Sequence, residues 1–181
     1  KLANENGIAA YGVIMYVAFI FAAIYIGYSI GSSPITSYNY GSGNHAELKN
    51  VFRKSLIIIT IVSICMLAAS QLAATTLAGI FVSYDKELFD LTVNGFKLYS
   101  LSFLFSGFNI FSSAFFTALN NGLISAVISF LRTLVFQVSA VFILPLLIGV
   151  NGIWLAVVAA EILTLIFSVI FLITNRKKYH Y

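Results

Sequence analysis

Charge is nearly absent from five long stretches of this chain, and those stretches fill most of it. The apolar runs lie at Gly7–Ile35, Leu56–Val82, Gly95–Leu119, Leu123–Ile148 and Gly152–Ile173. Each exceeds the roughly 20 residues an α-helix needs to cross a hydrocarbon core about 30 Å thick. Hydrophobic residues make up 60% of the sequence and charged residues only 9%, against roughly 25% charged in soluble domains. A water-soluble fold of 181 residues cannot cover that much apolar surface. The sequence therefore predicts an all-α integral membrane protein, a bundle of five transmembrane helices whose first partner is the lipid bilayer.

The connections carry the charge. Lys49, Arg53 and Lys54 follow the first run, and Arg176, Lys177 and Lys178 follow the fifth. Between runs two and three lies an acidic turn with Asp85, Lys86, Glu87 and Asp90. Five crossings put both basic clusters on one side, which the positive-inside rule makes cytoplasmic. The expectation is a multi-pass protein of the cell membrane with Lys49–Lys54, Asn120–Gly122 and the C-terminus in the cytoplasm. Asp85–Asp90 and the N-terminus then face outward. An outward N-terminus with an odd number of crossings, and a start at Lys1 with no basic n-region of a signal peptide, predict at least one further helix upstream. The net charge of +4 belongs to these short anchors and gives no sign of nucleic-acid binding.

Several kinds of chemistry find no support. Cys65 sits inside an apolar run and is expected to be a buried, inert thiol. His45 and His180 lie in polar segments without metal-ligand spacing, and solvated roles are expected for both. The stretch Gly41-Ser42-Gly43 lacks the Lys and Ser/Thr that complete a phosphate loop. No enzyme, resident cofactor or metal is predicted.

The connections Asn120–Gly122 and Gly149–Asn151 are short enough to make antiparallel neighbours. The exit of the first helix is different. From Gly27 to Asn44 it is crowded with glycine and serine, and Pro34 removes a backbone donor, so the helix is expected to kink or end there. Irregular backbone at membrane depth is tolerated only where protein buries it or a cavity receives it. The charged segment His45–Lys54 is expected to lie along the inner interface before the second helix enters the bilayer.

This segment resembles the multidrug and toxic compound extrusion (MATE) family of secondary transporters. The likeness rests on Pro34 through Asn44, with Gly41, Gly43 and Asn44 in the cytoplasmic turn and Ser42 replacing the usual alanine, followed by Lys49, Arg53 and Lys54. Phe116-Thr117-Ala118-Leu119-Asn120-Asn121-Gly122 resembles the turn after the fourth helix of a lobe. Gly152-Ile153-Trp154-Leu155-Ala156 with Ala160-Glu161 resembles the start of its last helix. The resemblance implies a twelve-helix exporter of two six-helix lobes, with residues 1–181 forming a partial C-terminal lobe, helices eight to twelve. The N-terminal lobe of the same protein would be a partner. It also implies export of cationic, amphipathic small molecules in exchange for protons or sodium ions by alternating access. Some sodium-coupled members hold an acidic residue in the tenth helix, but no Asp or Glu lies between Phe96 and Leu119 here. The coupling ion is therefore not expected there.

The candidate pathway residues follow from the cost of polarity in lipid. Glu161 lies about nine residues into the fifth run, where an acid costs roughly 2.5–3.5 kcal/mol on insertion scales. It is expected to face the interior as a proton or cation site, or to make a structural hydrogen bond. Arg132 lies in the fourth run, but counting back from the turn near Val150 leaves an axial offset of roughly 10 Å from Glu161 at 1.5 Å per residue. A direct pair is not expected from ideal helices, and Arg132 is instead expected to snorkel to the interface or meet the other lobe. Ser102, Ser106, Asn109 and Ser113 recur at spacings of four, three and four, which places them on one helical face. That face could border water or pack closely against a neighbour. Gln71 and Gln137 are expected to be structural. Tyr11, Tyr16, Tyr99 and Phe136 are candidate cavity liners offering aromatic faces to a cation, and Tyr84, Tyr179 and Tyr181 are expected in the interfacial belt. Pro145 is a candidate hinge.

Three functional classes remain in view: a drug or cation antiporter, a flippase for lipid-linked oligosaccharides, and a membrane subunit that transports nothing. A flippase for a pyrophosphate-bearing lipid would need a more cationic cavity than one intramembrane base provides. A purely structural subunit gives no reason for an acid such as Glu161 within a span.

Overall fold

The computed structural model describes residues 4–181 and contains five long helices. We number them α1 (Asn4–Gly41), α2 (His45–Val82), α3 (Lys86–Ala118), α4 (Gly122–Ile148) and α5 (Val150–Tyr179). No strand occurs among the described residues. Lipid admits helices or closed barrels, and a helix is the one that pairs each backbone N–H and C=O within its own segment. All five helices extend beyond the apolar runs. At 1.5 Å per residue the 38 residues of α1 reach roughly 57 Å, nearly twice the hydrocarbon thickness.

The extra length corrects three expectations. First, α1 does not end at Pro34 but continues to Gly41. Hydroxyls support the turns around the proline: Ser32 and Ser33 donate to the Ser29 carbonyl at 3.2 and 2.7 Å, and Thr36 donates to that of Ser32 at 3.2 Å. Second, His45–Lys54 is not a separate interfacial segment but the first turns of α2. Third, α3 starts inside the acidic turn, where the Asp85 side chain accepts from the Leu88 N–H at 3.1 Å as a helix cap.

The connections obey local chemistry. Between α1 and α2, Gly43 adopts φ +70°, and the Asn44 side chain caps α2 by accepting from the Glu47 N–H at 3.2 Å. Asn121 caps α4 in the same way, accepting from the Ile124 N–H at 3.3 Å. A single residue, Gly149 at φ +64°, joins α4 to α5. Only glycine takes that conformation without cost.

α3 is the central helix and touches the other four. Half of its apolar span is buried, against 11% for α4. Near its middle a short 3₁₀ turn, Ser100–Ser102, tightens the backbone. α2 presents small buried residues at near-helical intervals, with Ser55, Ser63, Ser70, Ala74 and Ala78 facing inward. Without a hydrophobic drive between helices in lipid, such residues let backbones approach and pack. The outer faces carry the large apolar side chains, among them Leu72 and Leu146.

Two apolar clusters hold the ends of the bundle. One gathers Ile14, Ala78, Val82, Leu88, Phe96 and Trp154. The other gathers Leu48, Phe111, Phe115, Phe116, Leu119 and Tyr179, so the α1–α2 turn, the α3–α4 turn and the end of α5 lie at one end. Tyr179 and Tyr181 are buried in this second cluster and do not form an interfacial belt. Tyr40 meets Tyr179 edge-on at 5.6 Å, and Tyr181 packs on Phe52 and Phe115 at 4.9 Å each. Tyr84 is exposed as expected. Cys65 is exposed on the outer face of α2 rather than buried. An apolar run says nothing about which of its residues face lipid.

At Gly152 the backbones of α4 and α5 come close. A Cβ there would stand 2.4 Å from the carbonyl group of Leu144, which is backbone and cannot move aside. Gly152→Ala should therefore destabilise the bundle by about 1–3 kcal/mol, the usual cost of overpacking. A lower midpoint for thermal unfolding in detergent checks this, and an unchanged midpoint would show that the hairpin can open at no cost.

Candidate functional site: a polar layer beside an intramembrane cavity

Between the two apolar clusters lies a layer that is polar. α1, α3, α4 and α5 enclose a cavity of about 430 Å³ there. Ser102, Ser106, Asn109 and Ser113 all line it, so the predicted face of α3 is the cavity wall. Tyr99 lines it too, beside Tyr25, Phe19 and Phe103. The Tyr25 hydroxyl donates to the Phe103 carbonyl at 2.9 Å and is hydrogen-bonded to Ser63 Oγ at 3.1 Å, which can donate to it. Its ring reaches α3 because position 107 is glycine; a Cβ there would stand 2.5 Å from the ring.

Glu161 faces inward and is 3% exposed. Its Oε1 accepts from Arg132 Nε at 2.9 Å and from Arg132 Nη2 at 2.6 Å. Its Oε2 accepts from Asn109 Nδ2 at 2.7 Å. The same amide also donates to the Glu161 backbone carbonyl at 2.9 Å, and Asn109 Oδ1 accepts from Ser168 Oγ at 3.0 Å. Every donor around the carboxyl group points at it, so both oxygens act as acceptors. Three helices meet in this network. The carboxylate is sealed, whereas the Arg132 side chain remains 30% exposed and borders the cavity.

The direct Arg132–Glu161 pair overturns the expectation from ideal helices, and Arg132 does not snorkel. The reason is local. Leu131–Gln137 within α4 is π-helical. Each hydrogen-bonded π turn takes an extra residue, so the segment advances less per residue than an α-helix. Arg132 therefore lies nearer the level of Glu161 than a uniform count gives, and its long side chain closes the remainder. The π segment also changes the facing of the residues around it. Phe136 packs on Phe167, with centroids 5.4 Å apart, and does not line the cavity.

Tyr16 does not line this cavity. It is 71% exposed on the outside of α1 and away from the cavity. α1 is apolar all round, so its sequence carries no face to read. Tyr11 stacks on Trp154 at 6.1 Å instead of lining the cavity. Gln137 lines the cavity, while Gln71 is structural and donates to the Lys97 carbonyl and to Ser100 Oγ, each at 2.9 Å. Pro145 lies inside α4 without ending it. His45 and His180 come together, their ring centroids 4.6 Å apart. Among the described residues no three His, Cys, Asp or Glu side chains gather as a metal site.

Tyr25 and Ser168 escaped the sequence reading. Ser168 had a signal: Glu161, Thr164 and Ser168 are spaced three and four apart, one polar face of α5, and all three are buried. Hydroxyls also link α3 to α4 beside the cavity. Ser113 lies 2.8 Å from Ser125 and 3.0 Å from Ser129, and Thr117 donates to Ser125 at 2.8 Å.

The sequence profile of the family described as MatE matches residues 1–143. Among curated proteins no match is found. Among solved structures, the outward-facing conformation of a multidrug resistance MATE family transporter of the MOP superfamily is similar with TM-score 0.91 and 19% identity; the match covers 98% of this chain and 40% of that one. The inward-facing conformation of such a transporter is similar with TM-score 0.83 and 18% identity, covering 94% and 39%. A MOP superfamily transporter from Pyrococcus furiosus, described with a binding pocket of reverse polarity that suggests a different function, is similar with TM-score 0.88 and 19% identity, covering 98% and 40%. The chain thus spans about 40% of the length of the solved transporters it matches.

Removing one member of a buried ion pair leaves the other uncompensated, at a cost of about 3–5 kcal/mol. Arg132→Leu or Glu161→Leu alone should lower stability by that order. The double variant should recover most of the loss, because the apolar pair leaves no orphaned charge. A double-mutant cycle on detergent unfolding reads this coupling, and additive losses would show that the pair is not energetically joined.

Proposed function

The chain belongs to the MatE family, and on that premise we propose that it is the C-terminal lobe of a secondary antiporter that exports cationic, amphipathic compounds in exchange for protons or sodium ions. Members of this family are transporters, and five membrane-spanning helices fit most of one six-helix lobe. The observation that carries the reading is the site itself. A cavity at membrane depth has one hydroxyl-lined wall and several aromatic faces, and the one carboxylate among the described lining residues is tied to an arginine. Aromatic faces attract lipophilic cations, and intramembrane ionisable groups mark ion paths.

The geometry gives each residue a role in that reading. Ser129 and Thr133, exposed in the lining, offer a solute replacements for its hydration. Arg132 covers Glu161 from the cavity side, so a proton or cation reaches the carboxylate only when the guanidinium shifts. Asn109 joins that event to α3 and α5, because it holds the Glu161 side chain, the Glu161 backbone and Ser168 together. Binding of the coupling ion would then reset contacts among three helices, the kind of bistable element that alternating access requires.

A flippase for pyrophosphate-bearing lipids fits less well. Arg132 is the one base among the lining residues, and Glu161 already matches its charge. By the distribution of basic residues, the lobe sits in the cytoplasmic membrane with the α1–α2 turn, the α3–α4 turn and the C-terminus inside.

Two measurements test this reading. The full-length protein in vesicles carrying a proton or sodium gradient should expel a lipophilic cationic dye. Glu161→Gln, which can no longer exchange a proton, should flatten the pH dependence of that efflux; a profile like that of the parent would assign Glu161 to structure alone. A cysteine in place of Lys178 should react with an impermeant thiol reagent only from the cytoplasmic side, and labelling from outside would invert the topology.

A further inference from the structure

A second cavity, of about 560 Å³, lies between α2, α3 and α5 near the end that holds the α1–α2 turn, and it shares no lining residue with the first. Its mouth is basic. Lys49 and Arg53 stand one turn apart on α2, and Arg176 approaches from α5. Its inner part is apolar, with Leu56, Phe108, Leu165, Val169 and Ile173 among the walls. Among the described residues no acidic side chain lines it. Glu47, the nearest acid in sequence on α2, is occupied by Asn50, which donates to both its oxygens at 3.1 and 3.2 Å. Arg176 Nε donates to a main-chain oxygen of Tyr181 at 3.1 Å, which holds the guanidinium at the mouth. Burial pushes the Tyr181 phenol above its usual pKa, so this ring adds no negative charge to the groove.

We propose that this groove binds one anionic phospholipid, its phosphate held by Lys49, Arg53 and Arg176 and one acyl chain laid against the apolar wall between α2 and α5. Charge complementarity selects the occupant. Three cations with no acidic side chain among the described lining residues call for an anion, and an apolar floor running inward from them calls for a hydrocarbon tail. From Arg176 to Leu165 the wall on α5 descends roughly 16 Å at 1.5 Å per residue, a depth that suits the upper part of an acyl chain and not a free phosphate. Val169 and Ile173 are exposed at its edge, so a tail can enter sideways from the bilayer.

Generic inner-face anchoring explains these cations less well. Lys54, Lys177 and Lys178 belong to the same two basic clusters but do not line the groove, and Lys178 lies over the Tyr179 ring at 5.1 Å. Half of the two clusters therefore converges on one site, and the other half provides an internal control of equal charge. Because α2 and α5 both border the groove, an occupied site would brace the helix that carries Glu161.

The test uses the full-length protein purified in detergent, with bound lipid counted by native mass spectrometry. Phosphatidylglycerol should be retained and phosphatidylcholine should not. Neutralising the groove by Lys49→Gln, Arg53→Gln and Arg176→Gln together should weaken phosphatidylglycerol retention by at least about tenfold, since each interfacial cation contributes measurably to anionic-lipid affinity. Neutralising Lys54, Lys177 and Lys178 should leave retention near that of the parent. Val169→Trp, which fills the apolar wall and keeps every charge, should also reduce retention. Equal losses from the two triple variants, an undiminished Val169→Trp, retention of phosphatidylcholine to the same extent, or competition by inorganic phosphate as strong as by phosphatidylglycerol would each overturn the proposal.

Discussion

A carboxylate and a guanidinium inside a bilayer are tolerable only together, and the architecture of this lobe follows from keeping them so. Alone, either group would carry a large desolvation cost in hydrocarbon. Joined through two hydrogen bonds and completed by Asn109, they form a compact neutral unit between two apolar clusters. The demand reaches outward. Asn109 must sit on the buried central helix, Ser168 must complete its amide, and α4 must bring Arg132 to the right height. The π-helical segment of α4 is where that last demand shows in the backbone.

Small residues make the close approach possible. Gly107 admits the Tyr25 ring to α3, Gly152 lets α5 lie against the carbonyl groups of α4, and the serines and alanines of α2 give it a flat inner face. In lipid the attraction between helices comes from packing and hydrogen bonds. The polar layer and the small-residue seams are therefore parts of one solution. Many large apolar side chains also stand on the outside, where a water-soluble bundle would place polar ones.

Legibility in the sequence was uneven, and the pattern has a physical cause. The stripe Ser102–Ser106–Asn109–Ser113 was readable because polar atoms on an otherwise apolar helix have a period, and period fixes a face. Tyr16 and Phe136 were not readable. Each lies on an apolar helix where nothing marks inside from outside, so aromatic character alone could not place them. Pro34 did not end its helix, because neighbouring hydroxyls support the turns around it. Cys65 and Tyr179 misled in opposite directions, one exposed on its helix and the other buried, although both occupy apolar or interfacial positions in sequence.

Composition by itself settled the solvent, and with it the secondary structure. A chain this poor in charge must live in lipid, and lipid enforces helices of membrane length. The order of runs, basic clusters and Gly-containing turns was also enough to suggest the family. Tertiary structure alone decided which polar groups meet. Arg132 and Glu161 lie 29 residues apart on helices whose relative height and rotation are set by packing, by a one-glycine turn and by a π segment. None of these leaves a periodic trace in the sequence. Periodicity can assign a residue to a face of its own helix, but which neighbour that face meets, and at what height, depends on all five helices at once.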